Sequence, residues 1–242
     1  MIIQADMHTH TVASTHAFST VMEMAKAASD AGLSALAFTD HSTGGEDAPH
    51  IWHFHNLPKA VPRKLFGVNM VFGVECDIID DKGTLALPNR EFEFLDWVVA
   101  SIHGTKLMSG HDRDYYTSAY VNASKNPYVD VIGHPVYPHV FGDYDVILPE
   151  FKKNDKLVEI NESAIIRSDE IMENCRDMIR RCKALEIPVI VDSDAHFCLS
   201  VGKFDAALKL LEEEKFPEEL VVNTSWERIK ERIEKRKGKI FE

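Results

Sequence analysis

The chain has 242 residues, 45% of them hydrophobic, enough to bury one large core, and no run of about eighteen apolar residues offers a membrane span. Its formal net charge of −12 disfavours broad nucleic-acid binding, which depends on Lys and Arg neutralising phosphates, although bound divalent cations would reverse the field locally and admit a phosphate. Met1-Ile2-Ile3 leads directly into Asp6 and His8 with no signal-peptide pattern, so a soluble cytoplasmic protein is expected, with no membrane partner.

Short apolar runs recur along the chain, each ending in a histidine or a carboxylate. Ile2 to Met7 runs into His8-Thr9-His10. Thr20-Val21-Met22-Glu23 then reads as a capping box, and Val21, Met24, Ala25 and Ala28 give a helical face that Gly32 ends. Ser34 to Thr39 runs into Asp40-His41, followed by a long connection from Ser42 to Pro58 that is a candidate active-site loop. Met70 to Val74 ends at Glu75, and Asp80-Asp81-Lys82-Gly83 between Ile79 and Leu85 predicts a hairpin turn.

The run from Leu95 to Ile102 ends at His103, and a helix is predicted near Asp114 to Ser124. Val129 to Gly133 ends at His134, with a Pro- and aromatic-rich loop after it, and Leu157 to Ile160 forms a strand ending at Asn161. From Ser168, Ile171, Cys175, Met178, Ile179 and Cys182 fit a 3.6-residue period, and Pro188 starts a strand ending near Asp194, two residues before His196. Helices close the chain at about Lys203 to Glu214 and Ser225 to Lys237, the second with a Thr224/Glu227 capping box. The four cysteines, Cys76, Cys175, Cys182 and Cys198, lack C-x-x-C spacing and read as buried thiols.

Alternating strands and helices over one uninterrupted stretch predict a single domain, residues 1–242, built as a (β/α) barrel of about seven units. Such barrels carry their chemistry where strands end. His8 and His10, two apart in an extended segment, face one side, and His41, Glu75, His103, His134, Asp194 and His196 stand at other strand ends. Imidazoles and carboxylates gathered at one rim suit zinc, manganese or iron, and a cluster of such ions supports phosphate-ester hydrolysis.

H-x-H, T-D-H, G-x-E, S-x-H, G-H-P and S-D-x-H, in this order, resemble the PHP (polymerase and histidinol phosphatase) domain family, and His8 to Ser19 resembles its YcdX-type bacterial phosphatase branch. The resemblance implies a distorted (βα)7 TIM-like barrel with three divalent ions, zinc first, with manganese or iron as alternatives. Carried over, His8, His10, Glu75 and Asp194 would hold one ion, Glu75, His103 and His134 a second, and His16, His41 and His196 a third, with Glu75 bridging. The expected activity is hydrolysis of a small phosphorylated metabolite by a metal-bound hydroxide. A phosphodiesterase or exonuclease, an amidohydrolase-like hydrolase and a non-catalytic metal-binding module are the rival readings. A homo-oligomer remains open.

Asp40 and Asp192, beside ligands, are candidate catalytic groups that orient imidazoles or accept a proton, or else strand-end caps. Asn161 lines the site or caps a turn. His50, His53 and His55 form a lid or an exposed loop, His111 and His139 read as surface residues, and Arg63, Lys106, Arg113 and Arg167 are candidate phosphate clamps by charge.

Overall fold

Seven parallel strands form the wall of a nearly closed barrel in this computed structural model, which describes residues 1–43, 45, 48–104 and 107–241. They are β1 (Ala5–Asp6), β2 (Ala35–Phe38), β4 (Val68–Asp77), β5 (Trp97–Ser101), β6 (Val131–Ile132), β7 (Leu157–Asn161) and β8 (Val189–Asp192), paired in that order; β3 (Lys64–Leu65) adds an antiparallel edge to β4. Between them run α1 (Val21–Asp30), α2 (Trp52–Ala60), α3 (Arg113–Ser124), α4 (Tyr144–Lys153), α5 (Glu162–Ile165) and α6 (Asp169–Leu185), with α7 (Asp205–Glu213) and α8 (Trp226–Lys237) at the end. This is the expected (βα)7 TIM-like architecture.

Strand periodicity sorts the core into two compartments. Ala35 and Ala37 face inward with Met7, Val71, Trp97, Val99 and Ile190, whereas Leu36 and Phe38 face outward and pack beneath the helices. The interior is plugged from below by α8, whose Trp226, Ile229 and Ile233 lie on one face. Arg236 at its end donates to the Asp96 carbonyl and the Asp130 carboxylate, both just ahead of strands β5 and β6, so the plug is pinned at the N-terminal face.

The seam between β1 and β8 has no continuous ladder, only a Thr9/Ala195 bridge. Side chains replace it. Asp192 Oδ1 accepts from Met7 N at 2.7 Å, Asp6 accepts from Ser193 N and Oγ at 3.0 and 2.5 Å, and the Asn223 amide bridges the Ala5 and Val191 carbonyls.

Three local expectations are corrected. The Pro- and aromatic-rich stretch after His134 contains helix α4, because Tyr144, Ile147, Leu148 and Phe151 bury one face and outweigh the lost bond at Pro149. The connection after His41 holds helix α2 from Trp52, not an open loop to Pro58, with Phe54 and Leu57 buried. The Thr224/Glu227 capping box is absent: Ser225 is the N-cap without a side-chain bond, Thr224 donates to the Val221 carbonyl, and Gln4 Oε1 instead accepts from Trp226 N at 3.0 Å. The Thr20/Glu23 capping box and the turn at Asp80 to Gly83 are formed as expected.

Candidate metal centre

Parallel strands of one barrel must end at one rim, so the chain delivers His8 and His10 after β1, His41 after β2, Glu75 near the end of β4, His103 after β5, His134 after β6, and Asp194 and His196 after β8 to a single place. His16 reaches it from the loop before α1. Glu75 sits at the centre, nearly fully buried. Its Oε1 lies 2.8 Å from His134 Nε2 and 3.2 Å from His103 Nε2, while Oε2 lies 3.0, 3.3 and 3.5 Å from His41 Nδ1, His8 Nε2 and His10 Nε2.

Among the described residues, three sets of ligand atoms lie within 4.8 Å of one another: His8, His10 and Asp194; His41, Glu75 and His103; and His10, His41 and His196. This grouping shares residues differently from the sequence-based one. His41 Nδ1 lies 3.0 Å from Glu75 Oε2, and its ring stacks on that of His16 with centroids 5.0 Å apart. His16 meets His196, with their Nε2 atoms 2.7 Å apart.

Two supporting carboxylates escape a reading based on strand ends. Glu159, fully buried in the middle of β7, takes His8 Nδ1 at 2.6 Å and His134 N at 2.7 Å; its signal was a lone acid inside the apolar run from Leu157 to Ile160. Asp77, two residues beyond Glu75 on the same face of β4, takes His103 Nδ1 at 2.5 Å. A proton held on Nδ1 leaves Nε2 as the metal-facing lone pair. Asn161 both caps α5 through Ala164 N and donates to Asp194 Oδ2 at 3.3 Å.

Burial and charge act against each other here. Burial pushes the Glu75 carboxyl up, but the His103, His8 and His41 imidazoles outweigh it and hold it well below the usual range. Burial likewise lowers His8, yet Glu159, Glu75 and Asp194 raise it well above an ordinary histidine; His10, also buried, is held down at about 4. Asp192 goes the other way, pushed well up by burial and by Glu159 and Asp6, and its contact is the Met7 amide of the seam. Asp40 accepts from Thr11 N and Oγ and from Ser14 Oγ, with His53 Nε2 at 2.9 Å, and its carboxyl is lowered because these groups and His53 outweigh burial. It therefore ties down the loop that carries His16.

The donor set fits divalent metal ions. His8 Nε2, both ring nitrogens of His10 and Asp194 Oδ1 are buried without a hydrogen bond, although Nε2 of each ring comes within 3.1 to 3.6 Å of Asp194 Oδ1. Such atoms converge on a shared point rather than on each other, which a cation satisfies and protein alone does not. His134 (φ 27°) and Asp194 (φ 53°) hold left-handed backbone, strain that the surrounding structure must impose.

Above this cluster opens a cavity of about 920 Å³. Ile79, Ala86, Ile102, Leu107 and Tyr137 give it an apolar wall, and Arg167 is the one Arg or Lys among its described lining residues. Of the other proposed clamps, Arg63 binds Asp96, Arg113 pairs with Asp143, and Lys106 lies outside the described residues. His139 is exposed yet lines the cavity; His55 pairs with Glu91, leaving only His53 of the α2 histidines near a site residue.

Among the described residues no helix is long and apolar enough to cross a membrane. The PHP domain model matches residues 6–187. A protein of Caldanaerobacter subterraneus named "probable phosphatase" is 42% identical over 236 residues, which cover 97% of this chain and 92% of the relative. Histidinol phosphate phosphatase of Lactococcus lactis, crystallised with zinc, L-histidinol and phosphate, shares the fold at a TM-score of 0.64 and 17% identity, covering 90% of this chain and 95% of its own. A metal-dependent tyrosine phosphatase, from a study of the Bacillus subtilis and Streptococcus pneumoniae proteins, does so at 0.57 and 17%, covering 98% and 96%. The family match over residues 6–187, which hold five of the six motifs, and a relative 42% identical over 97% of this chain mean that the chain belongs to the PHP domain family.

Proposed function

We propose that this PHP-domain phosphatase hydrolyses the phosphomonoester of a small metabolite at a three-ion centre within one domain spanning residues 1–242. The observation that carries it is Glu75, one buried carboxylate facing five imidazoles, two on one oxygen and three on the other. His8, His10 and Asp194 would hold one ion with Glu75, His103 and His134 a second with Glu75, and His16, His41 and His196 the third. Zinc suits the nitrogen-rich set first, manganese or iron next. When bound, such ions would supply polarisation of a phosphoryl oxygen and a water of near-neutral pKa.

The chain's own groups do the rest. Arg167 supplies a cation for the phosphate, with the Tyr137 ring 5.9 Å from its guanidinium. The wall of Ile79, Ala86, Ile102 and Leu107 takes an uncharged, apolar part of the leaving group. Asp40 positions the His16 loop, and Asp192 fixes β1 beside β8 and with it the His8 backbone.

The test is phosphate release from a panel of monoesters after reconstitution with zinc, manganese or iron, run beside a phosphodiester and an oligonucleotide. Release from monoesters, lost on chelation and restored by metal, is expected. Cleavage of the diester or oligonucleotide alone would replace this reading by a phosphodiesterase.

A further inference from the structure

We infer that Glu159 is a positioning residue that couples two of the proposed ion sites, by fixing the ring of His8 with one oxygen and the backbone of His134 with the other. The inference rests on the metal reading above. Glu159 is fully buried in the middle of β7, where an unpaired carboxylate would be costly, so both oxygens must be satisfied, and they are. Oε1 takes His8 Nδ1 at 2.6 Å, which leaves His8 Nε2 bare toward Glu75 and Asp194. Oε2 takes His134 N at 2.7 Å, at a residue whose φ of 27° needs an external hold. His134 in turn reaches the other Glu75 oxygen at 2.8 Å.

One rigid carboxylate thus spans β1, β6 and β7 and sets two ligands that face opposite oxygens of Glu75. The comparison within the same site is Asp77, whose imidazole contact is with His103 Nδ1, so its loss is expected to disturb one ion site. Glu159→Gln discriminates by chemistry. An amide presents one acceptor and no charge, so the contact it keeps falls to a weaker neutral hydrogen bond while the other partner is left beside an NH2 donor, and both ligands are disturbed.

The experiment uses the full chain, wild type, Glu159→Gln and Asp77→Asn, with chelator competition for zinc. Glu159→Gln is expected to weaken two ions by roughly 10 to 100-fold, Asp77→Asn one ion by a similar factor. Nitrogen-15 NMR of the zinc-loaded wild type should show the single ring proton of His8 on Nδ1, against Glu159, a readout that needs neither activity nor a variant. Wild type binding less than one ion per chain would sink the metal reading itself. Normal wild-type binding with loss of a single ion in Glu159→Gln, or His8 protonated on Nε2, would overturn the coupling and leave the metal reading standing. If Glu159→Gln fails circular dichroism, the wild-type tautomer decides.

Discussion

His16 and His196 face each other at the rim with their Nε2 atoms 2.7 Å apart. The Asp194 carbonyl lies 2.9 Å from His196 Nδ1 and fixes the proton there, so His196 Nε2 carries a lone pair. His16 must then offer a proton, or both rings must turn toward a shared cation. His16 is exposed whereas His8 and His10 are fully buried, so an ion at this edge is the easiest to remove. His16→Ala should lower metal content by one ion per chain, read by elemental analysis, while the inner ions stay. Loss of all metal would mean that the sites are not separable.

Glu75→Gln addresses the centre. The substitution removes the negative charge that faces five imidazoles and leaves a weaker neutral oxygen in its place. Activity should vanish almost completely, and two ions should be lost, with the fold intact by circular dichroism. Asp40→Asn, which only loosens the His16 loop, should cost on the order of 10 to 100-fold. Near-normal turnover in Glu75→Gln would require the hydrolytic site to be rebuilt around another group.

Strand ends are legible in this sequence because buried parallel strands need apolar runs, and a titratable residue that follows one stands out against them. His8, His41, Glu75, His103, His134 and Asp194 all announce themselves in that way. Glu159 and Asp77 do not, since each lies within or beside a strand and its value depends on which histidine the barrel brings opposite. Helix α4 was hidden by Pro149 and its aromatics, whose meaning is set by tertiary burial rather than by local propensity. Charge alone could not separate Arg167, at the cavity, from Arg63, whose guanidinium is committed to Asp96.

The strand before His134 leaves little room for a side chain at Gly133. A Cβ there would lie 2.3 Å from Ser101 Oγ and 2.8 Å from Val99 Cγ1 on the neighbouring strand. In Gly133→Ala the Ser101 and Val99 side chains must turn aside or β6 must move from β5, at a cost of about 1 to 3 kcal/mol, with His134 displaced in the second case. Denaturant unfolding should report that loss, and zinc affinity should fall in parallel. Unchanged stability and affinity would show that the strand pair yields freely and that close packing does not set the His134 position.

Glu214, at the C-cap of α7, links that helix to α6 away from the metal centre, and its acid behaviour is separable for that reason. Arg180 donates to both of its oxygens at 2.8 and 2.9 Å and Arg176 adds a third bond, and these hold its carboxyl down at about 2. A depressed carboxylate contributes its stabilisation in full above the unfolded value near 4.5 and loses it as pH falls from there through about 2. In metal-free protein, Glu214→Gln should therefore melt about 2 to 4 °C lower at pH 7, and the gap from wild type should close as pH drops through that window. The side chain is only partly screened from solvent, so added salt should shrink the gap at pH 7 as well. A gap that stays constant from pH 7 down to pH 2 would assign the effect to lost packing instead of to the charged bridge between α6 and α7.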